Sequence, residues 1–104
     1  MKEINDSTFD VESQNGNKVI KFYSEWCVPC KQITPIIQEI EKRFSNIDFL
    51  NIDVAENNES VLKASVRSLP TLLFLQNGKE LNRIIGFRDS QTISNTIKRI
   101  FNQV

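Results

Sequence analysis

Histidine is absent from the 104 residues of this chain, and cysteine occurs only twice. Without histidine the chain has no histidine-based catalytic dyad, and most mixed metal sites are excluded as well. An excess of charge of either sign is also missing, because 13 basic residues balance 13 acidic ones. A net charge of zero argues against a broad electrostatic surface for nucleic acid or for membranes.

Long apolar runs are likewise missing. No stretch approaches the roughly 20 apolar residues that a membrane span needs, and residues 1–6 show no apolar signal region. We therefore expect a cytoplasmic protein, in which structural disulfides are uncommon and a pair of cysteines is more typical of catalysis or metal binding. The length of 104 residues, with 39% hydrophobic and 25% charged residues, predicts one folded domain over residues 1–104.

Both cysteines lie in one short stretch, Trp26-Cys27-Val28-Pro29-Cys30-Lys31. The apolar run at 19–24 precedes them and predicts a central strand that is buried on both faces. Apolar residues at 33, 36, 37, 40 and 44 follow, and this spacing predicts a helix from Cys27 to Phe44. A Cys-x-x-Cys sequence at a strand-to-helix junction indicates dithiol redox chemistry.

The start of a helix is a reactive position for such a pair. Free N–H groups and the positive end of the helix dipole favour the thiolate of Cys27. Cys30 lies three residues further along the same helix face, so it can reach Cys27 and resolve a mixed disulfide. Pro29 fits the first helical turn, which tolerates a missing N–H. Trp26 offers an apolar flank for docking.

Hydrophobic periodicity and turn residues predict the element order β-α-β-α-β-α-β-β-α. This order indicates an α/β fold with a mixed sheet, parallel in its first part and antiparallel in its last, and with helices on both faces. Asn77-Gly78 predicts a type I′ hairpin turn. A short strand is expected at Ile4, followed by a short helix capped by Asp6 or Ser7, with Phe9 and Val11 as its apolar contacts. Further strands are expected at 47–53, 71–75 and 81–85, and a helix at 57–66. The last helix is expected to be capped by Asp89 or Ser90 and has apolar positions 93, 97, 100, 101 and 104.

The residues alone leave alternatives open at the candidate site. The two cysteines are compatible with half of a zinc site completed by a second chain, or with inert core thiols. Leu69-Pro70 is compatible with a plain proline at the start of a strand. Trp26 suits core packing as well as it suits docking.

The sequence resembles the thioredoxin family. The resemblance spans essentially the whole chain and is weakest over residues 1–18. It rests on residues in the family's order and spacing: Phe22, Glu25-Trp26-Cys27, Pro29-Cys30-Lys31, Pro35, Asn51-Ile52-Asp53, Pro70-Thr71, Asn77-Gly78 and Gly86. It implies a thioredoxin fold, with a central mixed five-stranded sheet flanked by four helices.

The resemblance also implies a protein-disulfide reductase in which Cys27 is the exposed nucleophile and Cys30 the buried resolving thiol. Leu69-Pro70 would be a cis peptide bond facing the cysteines, with the backbone of Leu69 binding an extended substrate segment. A docking groove would be completed by Trp26, Val28, Pro29, Ile85 and Gly86. No cofactor would be bound, because NADPH would supply reducing equivalents through a thioredoxin reductase. We expect a monomer that acts on disulfide-containing client proteins.

The chain departs from the family's pattern behind the cysteines. Lys21 stands where thioredoxins usually carry a buried aspartate, and Phe49 replaces the lysine that often accompanies it. We expect the stem of Lys21 to be buried and its ammonium group to reach the surface. The second hypothesis is that Lys21 points at the dithiol and modulates its protons or its thiolate. Two milder departures are Val28, where the family usually has glycine, and Tyr23, where many members have tryptophan.

These departures keep two further functions open. Val28 and Lys21 favour a thioredoxin-like protein with a dedicated partner or a less reducing potential, acting as an oxidase or isomerase. A protein of a different class, a binding subunit on the same fold with dispensable cysteines, is the third hypothesis.

Overall fold

The computed structural model describes residues 1–103, so the contact predicted for Val104 lies outside the described residues. The chain forms nine elements in the predicted order: β1 (Lys2–Ile4), α1 (Phe9–Ser13), β2 (Asn17–Tyr23), α2 (Val28–Glu41), β3 (Ile47–Asp53), α3 (Asn58–Ala64), β4 (Thr71–Gln76), β5 (Lys79–Ile85) and α4 (Ser90–Ile100).

The five strands form one sheet in the order β1-β3-β2-β4-β5. The first three strands pair in parallel, whereas β4 is antiparallel to both β2 and β5. The predicted mixed sheet is therefore confirmed, with β2 at its centre. Both faces of β2 are buried because successive side chains of a strand point to opposite sides and helices cover each side.

Two apolar cores lie on the two faces of the sheet. On one face, Val19 and Phe49 pack with α2 and α4 through residues such as Ile37 and Ile97. On the other face, the core combines residues of β1–β4 with α1 and α3: Ile4, Phe9, Ile20, Phe22, Leu50, Ile52, Ala64, Val66, Leu73 and Leu75. The odd-numbered positions of β2 therefore face α2, and this places Lys21 on the same side as the cysteines.

Element ends differ from the prediction by a few residues, as helix ends and strand ends commonly do. Helix α2 ends at Glu41 instead of Phe44, and β5 begins at Lys79 instead of Leu81. The predicted hairpin turn is present, since Asn77 has φ 50° and Gly78 has φ 85°. Positive φ at both central residues is what a type I′ turn requires.

The predicted start of the first helix is wrong. Thr8, not Asp6 or Ser7, is the N-cap residue of α1. The carboxylate of Asp6 instead accepts hydrogen bonds from the backbone N–H groups at the start of α3, 2.8 Å from Ser60 N. Val11 is 70% exposed and so is not a core contact. Asp6 thus ties the β1–α1 loop to a helix more than 50 residues away, which short-range sequence patterns do not reveal.

The topology gathers three loops at one end of the sheet. Residues 24–27 connect the end of β2 to the start of α2. Thr71, the first residue of β4, pairs with Phe22 of β2, so the Leu69-Pro70 loop lies beside that connection. Thr71 also pairs with Ile85 at the end of β5, which brings Gly86 to the same place.

Candidate active site

Cys27 is the N-cap residue of α2. Its backbone is extended (φ −85°, ψ 106°), and its sulfur accepts a hydrogen bond from the Cys30 N–H at 3.1 Å. Val28 and Pro29 follow as the first helical residues. The sulfur of Cys27 therefore receives both a backbone N–H and the positive end of the helix dipole, and both favour a thiolate when the bond is reduced.

The two cysteines form a disulfide in this structure, with their Cα atoms 5.2 Å apart. Cys30 is buried, with 2% of its surface exposed, whereas Cys27 is partly exposed. A partner sulfur arriving from solvent therefore meets Cys27 first. The pair therefore has an outer and an inner sulfur within bonding reach of each other, an arrangement that suits dithiol exchange.

Exposed apolar side chains lie on or next to the three loops that meet at this end of the sheet. Trp26 is 78% exposed, so the hypothesis that it packs in the core is wrong. Val28, Ile85 and Phe87 are also large exposed hydrophobic residues. Phe87 was not predicted as a site residue from the sequence. The feature that could have indicated it is an aromatic residue directly after Gly86 and before the polar residues at 88–90. Together with the exposed Pro29, these four side chains form what we call the apolar rim.

The Leu69-Pro70 peptide bond is cis, as the resemblance implied. The carbonyl of Pro70 accepts a hydrogen bond from the Gly86 N–H at 2.8 Å, which joins two of the three loops. Within residues 1–103, the backbone N–H and C=O of Leu69 have no protein partner. A free backbone donor and acceptor beside the disulfide suit pairing with an extended chain.

A cavity of about 530 Å³ lies behind the disulfide. Cys30 and Thr34 line it from α2, Lys21 and Tyr23 from β2, and Asn51 from β3. We call it the Lys21 cavity. It is polar where the rest of this sheet face is apolar.

Lys21 is buried in that cavity, with 3% of its surface exposed. Its ammonium group donates a hydrogen bond to Thr34 Oγ1 and lies 5.0 Å from the centre of the Tyr23 ring. The expectation that the ammonium group reaches the surface is therefore wrong, since Thr34 and Tyr23 hold it inside. Burial lowers the pKa of Lys21 by removing water from the ammonium group, while the Glu3 carboxylate acts in the opposite direction.

The neighbours of Lys21 are themselves constrained. Burial, followed by the hydrogen bond from the Tyr23 hydroxyl to Glu3 Oε2 at 2.9 Å, raises the pKa of Tyr23, so the phenol stays neutral. Thr34 Oγ1 donates to the carbonyl of Cys30 at 2.8 Å. Among residues 1–103, Asn51 Oδ1 is buried and has no hydrogen-bond partner.

Residues 1–103 contain no group of three or more His, Cys, Asp or Glu side chains that is placed to hold a metal ion. Over the same residues, no helix is both long enough and apolar enough to cross a membrane.

Comparison with known proteins identifies the family. A family model described as Thioredoxin matches residues 1–99. The chain belongs to the thioredoxin family. It is 35% identical over 100 residues to a thioredoxin of Listeria monocytogenes, an alignment that covers 95% of this chain and 97% of the relative. It is 32% identical over 98 residues to a thioredoxin of Staphylococcus haemolyticus, covering 93% of this chain and 94% of the relative.

The fold agrees with this membership. The crystal structure of Fasciola hepatica thioredoxin superposes with a TM-score of 0.85 at 29% identity, covering 96% of this chain and 99% of that one. The predicted thioredoxin fold is confirmed. Family membership and the Cys27–Cys30 pair make this protein a thiol–disulfide oxidoreductase that reduces protein disulfides.

Proposed function

We propose that Cys27 is the attacking thiolate and Cys30 the resolving thiol in the reduction of client proteins. The observation that carries this assignment is the difference between the two sulfurs: Cys27 is partly exposed at the helix cap, and Cys30 is buried beneath it. Cys27 attacks a client disulfide, forms a mixed disulfide and releases one client thiolate. Cys30 then loses its proton, attacks Cys27 Sγ and releases the second thiolate, so two electrons pass from the dithiol to the client.

The client segment binds between the apolar rim and the Leu69-Pro70 loop. Trp26, Val28, Pro29 and Ile85 present apolar surface to side chains next to the client disulfide. The free backbone groups of Leu69 pair with the client backbone in the manner of an added strand. Pro70 and Gly86 hold the two loops at a fixed separation through their hydrogen bond.

The oxidised protein is returned to the dithiol by NADPH through a thioredoxin reductase, acting in the cytoplasm, where thiols are kept reduced. The exchange itself needs no bound cofactor, since the two sulfurs carry both electrons. This supports a separate protein as the source of the reducing equivalents.

A second candidate function is that of a weaker reductant with oxidase or isomerase character. Lys21 favours it, because a cation behind the dithiol stabilises the reduced form and so raises the reduction potential. Equilibration with glutathione buffers separates the two: a value near about −270 mV supports the reductase, and one near about −180 mV the second function.

The test of the sulfur roles uses four chains: the parent, Cys27→Ser, Cys30→Ser and the double Cys→Ser variant. Cys30→Ser should accumulate mixed disulfides with clients in a cell extract, because attack proceeds and resolution does not. Cys27→Ser should trap none, and neither variant should turn over a protein disulfide. A Cys27→Ser protein that still reduces clients contradicts the assignment, and partner complexes that form equally well in a double Cys→Ser variant would favour a binding subunit.

A further inference from the structure

The ammonium group of Lys21 lies in the interior without a carboxylate partner. Among residues 1–103, its one hydrogen-bond partner is the neutral hydroxyl of Thr34. Lys18, three residues earlier on β2 and on the opposite face, shows the usual arrangement, with its Nζ 2.6 Å from Asp48 Oδ2. A buried charge is costly unless an opposite charge compensates it. Glu3 acts on this cation only from a distance, so among the described residues Lys21 forms no ion pair in the disulfide form.

We infer that the missing counter-ion of Lys21 is the thiolate of Cys30, which exists only when the Cys27–Cys30 bond is open. Cys30 and Lys21 line the same cavity, and Thr34 links them, because its hydroxyl accepts from Lys21 Nζ and donates to the Cys30 carbonyl. After the bond to Thr34, an ammonium group has two N–H donors left for a sulfur. This inference rests on the proposed role of Cys30.

Two groups act against the effect of burial on the Lys21 ammonium group. Burial lowers the pKa of Lys21, while the Glu3 carboxylate acts in the opposite direction and the Tyr23 ring offers the ammonium group a π face. Lys31 of α2 also lines the cavity and adds to the positive potential at Cys30. The titratable and charged groups that line the cavity with Lys21 or act on it are Glu3 on β1, Tyr23 on β2, Glu25 in the β2–α2 connection, and Cys30 and Lys31 on α2. Asp53 at the end of β3 acts on Tyr23, and Leu72 is the neighbour of Lys21 on β4.

Lys21 acts through Cys30 and is a positioning residue. In the mixed disulfide, Cys30 loses its proton to water, and the Lys21 ammonium stabilises the thiolate that remains. The thiolate attacks Cys27 Sγ, the Cys27–Cys30 bond forms, and the client thiolate leaves with its electron pair. The ammonium group stabilises the open form, in which it meets a thiolate, and meets no thiolate in the closed form. Lys21 therefore speeds resolution and makes the protein a weaker reductant than the same chain without the charge.

The direct test titrates Cys30 in a Cys27→Ser background, by the pH dependence of its alkylation rate. Lys21→Met and Lys21→Gln should each raise the apparent pKa of the Cys30 thiol by about one unit, since both remove the charge. Lys21→Gln keeps a donor for Thr34, so it separates charge from hydrogen bonding. Lys21→Arg should titrate like the parent. The matched control is Lys18→Met on the same strand, which should leave the Cys30 titration unchanged.

The intact dithiol gives a second readout. In glutathione buffers, Lys21→Met should shift the equilibrium about tenfold towards the disulfide, which corresponds to a potential about 30 mV more negative. A Lys21→Met protein with the parent's Cys30 titration and the parent's equilibrium overturns the inference, as does a Lys21→Gln protein that behaves like the parent. If Lys21→Arg does not fold, the Met and Gln variants still decide the question.

If the proposed function is wrong, the experiments give a different set of results from those expected if only the inference about Lys21 is wrong. A parent protein that does not reduce client disulfides would remove the assigned role of Cys30 in turnover. The titration of Cys30 in the Lys21 variants would still report whether the two groups are coupled, because alkylation needs neither client nor reductase.

Discussion

Lys21 and Asn51 are direct neighbours in the parallel pairing of β2 with β3, and both side chains line the cavity behind Cys30. Glu3 pairs with Asn51 from the other side, on β1. The three residues therefore form a polar row across three parallel strands, on a sheet face that is otherwise apolar. Glu3 is exposed, whereas Lys21 and the side-chain oxygen of Asn51 are buried. Burying such polar groups is costly without a compensating interaction, and this cost underlies the role proposed above for Lys21.

Removing the Lys21 charge should stabilise the oxidised protein. We expect Lys21→Met to raise the free energy of unfolding by about 1 to 3 kcal/mol near pH 7, because the variant no longer buries an uncompensated cation. Urea unfolding of the disulfide form measures this. The control, Lys18→Met, loses an ion pair, so its free energy of unfolding should not rise. A Lys21→Met protein less stable than the parent would contradict the expectation.

This stabilisation should depend on pH in a defined direction. The pKa of Lys21 in the folded protein is lowered from 10.5, so between the two values the unfolded chain binds more protons than the folded one. The parent therefore becomes more stable as the pH rises through this window. The gain of Lys21→Met is full below the folded pKa and should shrink as the pH approaches 10.5. Unfolding midpoints near pH 7 and near pH 10 check this, and a gain that grows with pH would be the wrong sign.

The indole of Trp26 should serve docking and not stability. Because Trp26 is 78% exposed, Trp26→Ala should change the free energy of unfolding by no more than about 0.5 kcal/mol. The rate of client-disulfide reduction should fall about tenfold, as it does when an aromatic contact of an interface is lost. Val11→Ala, at an apolar site on α1 that is 70% exposed, is the control and should leave the rate unchanged.

Phe87 should select clients without affecting the exchange itself. We expect Phe87→Ala to slow the reduction of a protein disulfide several-fold, because the apolar rim loses contact area. Reduction of a small disulfide such as oxidised glutathione should not change, since the two sulfurs are untouched. Parallel loss on both substrates would place Phe87 in the chemistry instead of the docking surface.

Alanine substitutions at Gly86 and Gly16 distinguish the effect of backbone strain on stability from an effect on client reduction. Both have positive φ, 89° and 77°, a region that costs an alanine about 1 kcal/mol. Gly86→Ala and Gly16→Ala should therefore lose similar unfolding free energy. Only Gly86→Ala should also slow client reduction, because its backbone strain falls on the loop that is hydrogen-bonded to the Pro70 carbonyl. Equal reduction rates in the two variants would argue against a role of this loop in docking.

The elements and the reactive pair could be predicted from the sequence because their signals are short in range. Apolar residues at 33, 37 and 40 specify one face of a helix, and Asn77-Gly78 specifies a hairpin with positive φ. The position of Cys27 at a helix start follows from its immediate neighbours. The element order then limits the sheet to few topologies, so the mixed sheet was also predictable.

What the tertiary structure decided depends on residues far apart in the chain. Asp6 caps α3 and not α1, because the sheet brings the β1–α1 loop to the start of a helix that begins at Asn58. The exposure of Trp26 was equally undetermined, since a tryptophan suits a core or a docking surface until its neighbours are known.

The sequence by itself determined that two cysteines stand at the start of a helix after a buried strand, a position that indicates dithiol exchange. Only the tertiary structure decided where the Lys21 ammonium goes. A long side chain on a strand reaches either the surface or the interior, and the choice depends on which groups from other elements receive it. Here Thr34 of α2 receives it behind Cys30, so the charge lies inside.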